Sequence, residues 1–145
     1  MVRLIPEKDD TDTEAALQLA FNQSEGDIVI LGGTGSRLDH VLGNISILGQ
    51  GLSRGRQVFL LDSHNRIRLI DSDLTVAREE LYGPYISLFP YGDQVEGVTL
   101  EGFKYPLVHA TMEGFTSLGV SNEVTAQVGK IHLEHGVLIV IEAKE

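Results

Sequence analysis

Apolar and polar positions follow two different rhythms along this chain. Up to about Leu52 the spacing is helical, broken by one solid apolar run; from Gln57 onward it is mostly the two-residue alternation of strands. Lys8-Asp9-Asp10-Thr11-Asp12-Thr13-Glu14 leads into Ala15, Ala16, Leu17, Ala20 and Phe21. Thr11 with Glu14 three residues on is a capping-box pattern, which predicts a helix to about Asn22. Ile28-Val29-Ile30-Leu31, between Asp27 and a glycine cluster, reads as a buried strand. Leu38, Val41, Leu42, Ile45, Leu48 and Leu52 then recur as one face of a second helix. Short strands are predicted at 57–61, 66–70, 74–77, 85–89, 94–100, 103–108 and 123–128. A hairpin is predicted to join 131–133 to 137–141 through Glu134-His135-Gly136.

The expected fold is α/β followed by all-β: a partial three-layer, Rossmann-like α/β domain over 1–54, then an antiparallel β-sandwich over 55–145. One strand–helix–strand–helix run is too little to close a doubly wound sheet. An incomplete parallel sheet leaves apolar surface and unpaired edges, so association with a partner is expected.

Charge narrows the function classes. A net charge of −10, with eleven scattered basic residues among 145, argues against a nucleic-acid partner, because a phosphate backbone demands clustered Lys and Arg. The absence of Cys removes disulfides and thiolate metal sites. Nothing approaches the ~20 apolar residues of a membrane span, and Met1-Val2-Arg3-Leu4-Ile5-Pro6 has no signal-peptide core. A cytoplasmic protein without membrane contact is expected.

Candidate chemistry gathers where the apolar run ends. Gly32-Gly33-Thr34-Gly35-Ser36-Arg37-Leu38-Asp39-His40 joins strand to helix, and in an open α/β sheet ligands bind at the carboxyl ends of strands. Glycines admit close backbone approach, while Arg37 and Asp39 stand at the rim. The loop lacks the Gly-Lys-Ser/Thr ending of a Walker A motif, and Leu38 occupies the third glycine position of a dinucleotide fingerprint. It shares features with the glycine–arginine loop of sugar nucleotidyltransferases, although β-structure follows too soon here. Asp9, Asp10 and Asp12 either favour the helix N-terminus through its dipole or form part of a magnesium site. Of five histidines only His40 lies in this corner, and their spacing suggests no metal site. Gly119-Val120-Ser121-Asn122-Glu123 is either a plain turn or a loop whose hydroxyl and amide read a heterocycle's edge.

Taken together and in order, these segments resemble the thiamine pyrophosphokinase family. The resemblance rests on residues 8–12, the loop 32–40 and Asn44. It continues through Leu61-Asp62-Ser63-His64-Asn65, Ser87-Leu88-Phe89-Pro90, the run from Gly97 to Leu107, and Gly119 to Glu123. It implies an ATP-binding catalytic α/β domain followed by a thiamine-binding β-sandwich, and Mg2+-dependent transfer of pyrophosphate from ATP to thiamine, giving thiamine diphosphate and AMP. It also implies a homodimer with thiamine near the subunit interface. By resemblance Thr11, Asp12, Gly33, Arg37, Leu38, Asp39 and His40 bind ATP and Asp12 the metal. Arg37 and Asp39 serve the transfer, with Asp39 either orienting the hydroxyl or binding metal, and Ser121 with Asn122 hold the thiamine pyrimidine. The family's Gly-Asp-x-Asp-Ser type motif belongs upstream of the lysine–aspartate segment, and this chain starts after that point. Very low activity of the 145-residue chain alone is therefore expected. The competing expectations are a non-catalytic thiamine-binding or dimerisation module and a sugar nucleotidyltransferase-like enzyme.

Overall fold

The computed structural model describes residues 2–4, 10–32, 34–35 and 37–145; the side chains of residues 2, 4 and 10–12 lie outside that description. The chain divides into two compact units, residues 1–69 and 70–145. Strands at 58–61 and 65–70, which the residue pattern assigns to a second portion over 55–145, pair with strands of the first unit.

In the first unit β1 (Val2–Leu4), α1 (Asp10–Gln23), β2 (Ile28–Leu31), α2 (Leu38–Leu48), β3 (Val58–Leu61) and β4 (Asn65–Ile70) follow one another. β1, β2 and β3 are parallel neighbours in that order, and β4 adds antiparallel to β3. The sheet is therefore mixed. Each parallel step is made by a helix, as a crossover requires. Ile28, Val29 and Ile30 are all buried, so β2 hides side chains on both faces instead of leaving one open. The apolar stripe of α2 sits differently from the expectation. Asn44, Ile45 and Leu48 point inward, whereas Leu38 and Leu42 are exposed, because burying Asn44 turns the stripe and puts Leu42 at its rim. A 3-10 turn over Gly49–Arg54 ends the run at Gly55, in the left-handed region that glycine adopts readily. The Arg56 guanidinium then donates to the carbonyls of Gly26 (2.8 Å), Ser24 (3.0 Å) and Phe21 (3.3 Å), closing the end of α1.

The second unit is all-β, with β5 (Leu74–Ala77), β6 (Tyr85–Pro90), β7 (Gln94–Glu101), β8 (Leu107–Glu113), β9 (Val128–His132) and β10 (Leu138–Ala143). β5, β9, β7 and β8 form an antiparallel sheet in that order, and β10 pairs antiparallel with β6. Ile86, Leu88, Val95, Leu100, Met112 and Val140 are among the residues of their shared core. A mixed sheet with a few helices, then an antiparallel all-β region, is the fold class the sequence implies.

Three local expectations change. The strand predicted at 103–108 begins only at Leu107, because Pro106 has no amide to give a ladder. Residues 123–128 contribute a single bridge, Phe103 to Val124, ahead of β9. The predicted hairpin does not form: β9 pairs with β5 and β7 while β10 pairs with β6. Residues 133–137 instead cross between the two sheets, with the Glu96 amide bonded to the His135 carbonyl at 2.8 Å.

Candidate functional site

Adjacent parallel strands end at the same level, so the segments leaving β2 and β3 are brought side by side. Gly32 leaves β2 at φ 71°, a left-handed step suited to glycine, and its amide donates to the Leu61 carbonyl at the end of β3 at 3.3 Å. Two residues on, the Thr34 hydroxyl donates to Asp62 Oδ2, which ties the glycine loop to the turn after β3. The other oxygen, Asp62 Oδ1, accepts the amides of His64 (2.7 Å) and Asn65 (2.6 Å), an Asx-type turn. Burial raises the Asp62 carboxyl, yet the hydrogen bonds from Thr34, His64 and Asn65 outweigh it and hold the group below the ordinary 3.8.

Past the loop, Arg37 takes the N-cap position of α2 with extended backbone and no side-chain cap. Its guanidinium instead meets Asp39 in a forked pair, Nη2 to Oδ2 at 2.6 Å and Nε to Oδ1 at 3.2 Å. Asp39 lies in the first helical turn, where the helix dipole favours an anion, and also accepts the His40 amide at 2.9 Å. The Arg37 hydrogen bond, with that amide, holds the Asp39 carboxyl below its ordinary 3.8. Both side chains remain about two-thirds exposed, at 66% and 64%. This is a surface ion pair, worth little on its own and easily exchanged.

Of the residues singled out from sequence, the structure thus brings Arg37, Asp39 and His40 together, with Leu38 exposed beside them. Gly33 lies outside the described residues, and so do the side chains of Thr11 and Asp12, whose backbone opens α1. Among the described residues no group of three or more His, Cys, Asp or Glu side chains is placed to hold a metal ion. Those side chains by themselves do not compose a magnesium site, so no step below passes through the metal. Sequence reasoning missed the part of Thr34 and Asp62 in this corner. Asp62 was legible as a turn residue, but its place beside the glycine loop depends on β3 lying parallel to β2.

In the second unit Ser121 and Asn122 sit opposite β6. The Asn122 backbone makes a two-way bridge with Ile86, both bonds 2.9 Å, and its side chain is buried at 3% exposure. Ser121 is exposed and left-handed, with φ 58°. Across the sheet, Asp73 accepts from His132 Nδ1 at 2.8 Å; the contact raises the imidazole above its ordinary 6.5 and lowers the carboxyl below 3.8.

Comparison with known proteins agrees over nearly the whole chain. The model of the thiamin pyrophosphokinase catalytic domain matches residues 1–60, and that of the thiamin pyrophosphokinase vitamin B1 binding domain matches 71–138. A thiamine pyrophosphokinase of Bacillus subtilis is 34% identical over 139 residues, covering 96% of this chain and 65% of the relative. The crystal structure of thiamine pyrophosphokinase from Bacillus subtilis superimposes with a TM-score of 0.88 at 34% identity, over 96% of this chain and 65% of that one. The thiamin pyrophosphokinase structure from Geobacillus thermodenitrificans gives 0.82 at 33% identity, over 97% and 64%. The chain therefore spans slightly less than two-thirds of the length of these relatives. Both family models and the relatives agree, and the chain belongs to the thiamine pyrophosphokinase family.

Proposed function

We propose that this chain serves the ATP-dependent diphosphorylation of thiamine, yielding thiamine diphosphate and AMP. The observation that carries the reading is the corner at the carboxyl ends of β2 and β3. There a glycine step, the Thr34–Asp62 link and an exposed Arg37–Asp39 pair open onto the start of α2. In the reaction the hydroxyethyl oxygen of thiamine bonds to the β-phosphorus of ATP, the bond from that phosphorus to the α-phosphate oxygen breaks, and AMP leaves. Such a transfer asks the protein mainly for alignment and for neutralisation of charge on the phosphoryl oxygens. Arg37 offers a planar fork to two oxygens at once. Its present partner Asp39 is exposed, so a phosphate can replace the carboxylate without uncovering a buried charge.

Leu38 and His40 complete the nucleotide-facing rim in this reading, together with Gly33. Thr11 and Asp12 are the proposed contacts to nucleotide and magnesium, the ion that would shield the phosphate charges when bound. In the second unit the match to the vitamin B1 binding domain supports Ser121 and Asn122 as the thiamine loop. The working form is read as a cytoplasmic homodimer, and sedimentation equilibrium at micromolar concentration should give the mass of two chains.

Titration calorimetry with thiamine, with and without a non-hydrolysable ATP analogue and Mg2+, tests the reading. Saturable binding of both ligands is expected. Indifference to thiamine combined with binding of a sugar phosphate would favour the nucleotidyltransferase alternative and overturn it. Chromatography of ATP, Mg2+ and thiamine incubated with the chain then separates turnover, seen as AMP and thiamine diphosphate, from binding alone.

A further inference from the structure

A non-glycine residue with positive φ is held there by its surroundings, and Ser121 is held from both sides. On one side its own amide donates to Ser87 Oγ, on β6, at 2.9 Å. On the other, the Asn122 side chain is spent almost entirely on main chain. Its Oδ1 accepts the amides of Tyr105 (3.0 Å) and Glu123 (2.9 Å), and its Nδ2 donates to the Tyr105 carbonyl at 2.9 Å. An asparagine side chain has two donor hydrogens and one acceptor oxygen with two lone pairs. Three of those four places are taken, on a residue only 3% exposed. The Ser121 side chain, by contrast, is exposed, and among the described residues its hydroxyl has no hydrogen-bond partner.

We infer that, of these three residues, only Ser121 meets the ligand, while Asn122 and Ser87 are positioning residues that fix its left-handed backbone. The inference rests on the thiamine reading above and divides the labour within that loop. Asn122 clamps Tyr105 to the 121–124 segment, and Ser87 pins the peptide that enters Ser121. The hydroxyl of Ser121 is thereby aimed without the freedom that a surface turn normally keeps. In the sequence Ser87 opens one of the segments that resemble the family, but nothing there gives it a role. It is an ordinary serine in a strand, and only the antiparallel run of residues 119–122 beside β6 brings its oxygen to the Ser121 amide.

The test pairs each variant with two ligands, thiamine and the analogue whose pyrimidine 4-amino group is replaced by oxygen. A positioning residue should weaken both ligands alike, leaving their affinity ratio unchanged within about twofold in Asn122→Ala and Ser87→Ala. Ser121→Ala should shift that ratio. Collapse of the ratio in Asn122→Ala or Ser87→Ala, with Ser121→Ala unaffected, would overturn the assignment. Amide hydrogen exchange on the ligand-free protein gives a second, independent readout. Exchange at Tyr105 and Glu123 should rise by about tenfold or more in Asn122→Ala, and at Ser121 in Ser87→Ala. Unchanged exchange at those amides defeats the clamp whether or not thiamine binds. Failure of the unmodified chain to bind thiamine instead counts against the function reading. Should Asn122→Ala fail to fold, Ser87→Ala and Asn122→Asp carry the test. The aspartate keeps the acceptor for both amides and replaces the donor to the Tyr105 carbonyl with a carboxylate oxygen.

Discussion

The glycine corner after β2 and the serine–asparagine corner opposite β6 present polar groups in opposite ways. In the first, Arg37 and Asp39 stand in solvent and hold each other, and a Cβ added at Gly35 would meet nothing within 4 Å. In the second, Asn122 is buried on backbone partners, and a Cβ added at Gly119 would run into the Leu88 carbonyl oxygen. The contrast suits the ligand proposed for each corner. A polyphosphate is large, charged and hydrated, so long side chains that exchange one anion for another can follow it. A neutral pyrimidine ring is read by a few directional hydrogen bonds, and those discriminate only if their groups are fixed beforehand.

The sharpest way to break this comparison is a pair of alanines. At Gly119 the added methyl runs into the Leu88 carbonyl while the Gly119 carbonyl is itself bonded to the Leu88 amide at 2.9 Å, so strand β6 must shift. Gly119→Ala should lower stability by about 3 kcal/mol, at the upper end of overpacking changes. Gly35→Ala should stay within about 0.5 kcal/mol, because an open site also gains from a stiffer unfolded chain. Urea midpoints compare the two directly; equal shifts would show that the corners are not built differently.

Asp62 gathers the hydrogen bonds that tie the glycine corner to the turn after β3 and gives the next largest effect. Asp62→Ala removes the acceptor for Thr34 and for the turn amides of His64 and Asn65, and should cost about 1–3 kcal/mol at neutral pH. The folded carboxyl is held below 3.8, so its contribution is present above that value and is lost as the pH falls through the lower folded one. The gap between the native chain and Asp62→Ala should therefore close in strong acid. A gap independent of pH would mean that the carboxylate charge is not what the turn uses.

How far this corner was legible follows from the range of the interactions. The capping box and the apolar spacing placed α1 and α2 to within a few residues, because those signals are local. The run Ile28–Leu31 announced a buried strand for the same reason. Which strands pair was beyond reach. Nothing within 131–141 reveals that Leu133 buries at the start of a segment crossing between sheets, so a turn-like Glu134-His135-Gly136 read as a hairpin. The site divides in the same way. Arg37, Asp39 and Ser121 stood out by residue type and neighbours, while Thr34–Asp62 and Ser87–Ser121 are contacts across 28 and 34 positions that only the fold makes.

Arg37→Ala sharpens the comparison from the exposed side. Little stability resides in a surface pair, so the unfolding midpoint should be essentially unchanged. Affinity for an ATP analogue should nevertheless fall about tenfold or more with the loss of a charge-assisted fork, while thiamine affinity is unchanged. Calorimetry with both ligands reads this split, and a parallel loss of thiamine affinity would sink the assignment of Arg37 to phosphate.

The smallest effect separates two exposed ion pairs of different span. Arg37–Asp39 joins residues two apart within one turn, whereas Asp73–His132 ties the turn before β5 to β9. His132 is raised above 6.5 by Asp73, so its contribution is full below 6.5 and fades as the pH climbs through the folded value. Asp73 is lowered below 3.8, so its contribution is present above 3.8 and fades in acid. The pair is therefore strongest between about pH 4 and 6.5. Asp73→Asn should lower the melting temperature there by no more than about 2 °C, because both groups are exposed. That difference should shrink toward the alkaline end, as the pH climbs through the raised imidazole value. The corresponding difference for Arg37→Ala should stay flat from about pH 5 to 9, since guanidinium and carboxylate both keep their charge throughout. A difference for Asp73→Asn that is as large at the alkaline end would mean that the contact holds the turn as a neutral hydrogen bond rather than as an ion pair.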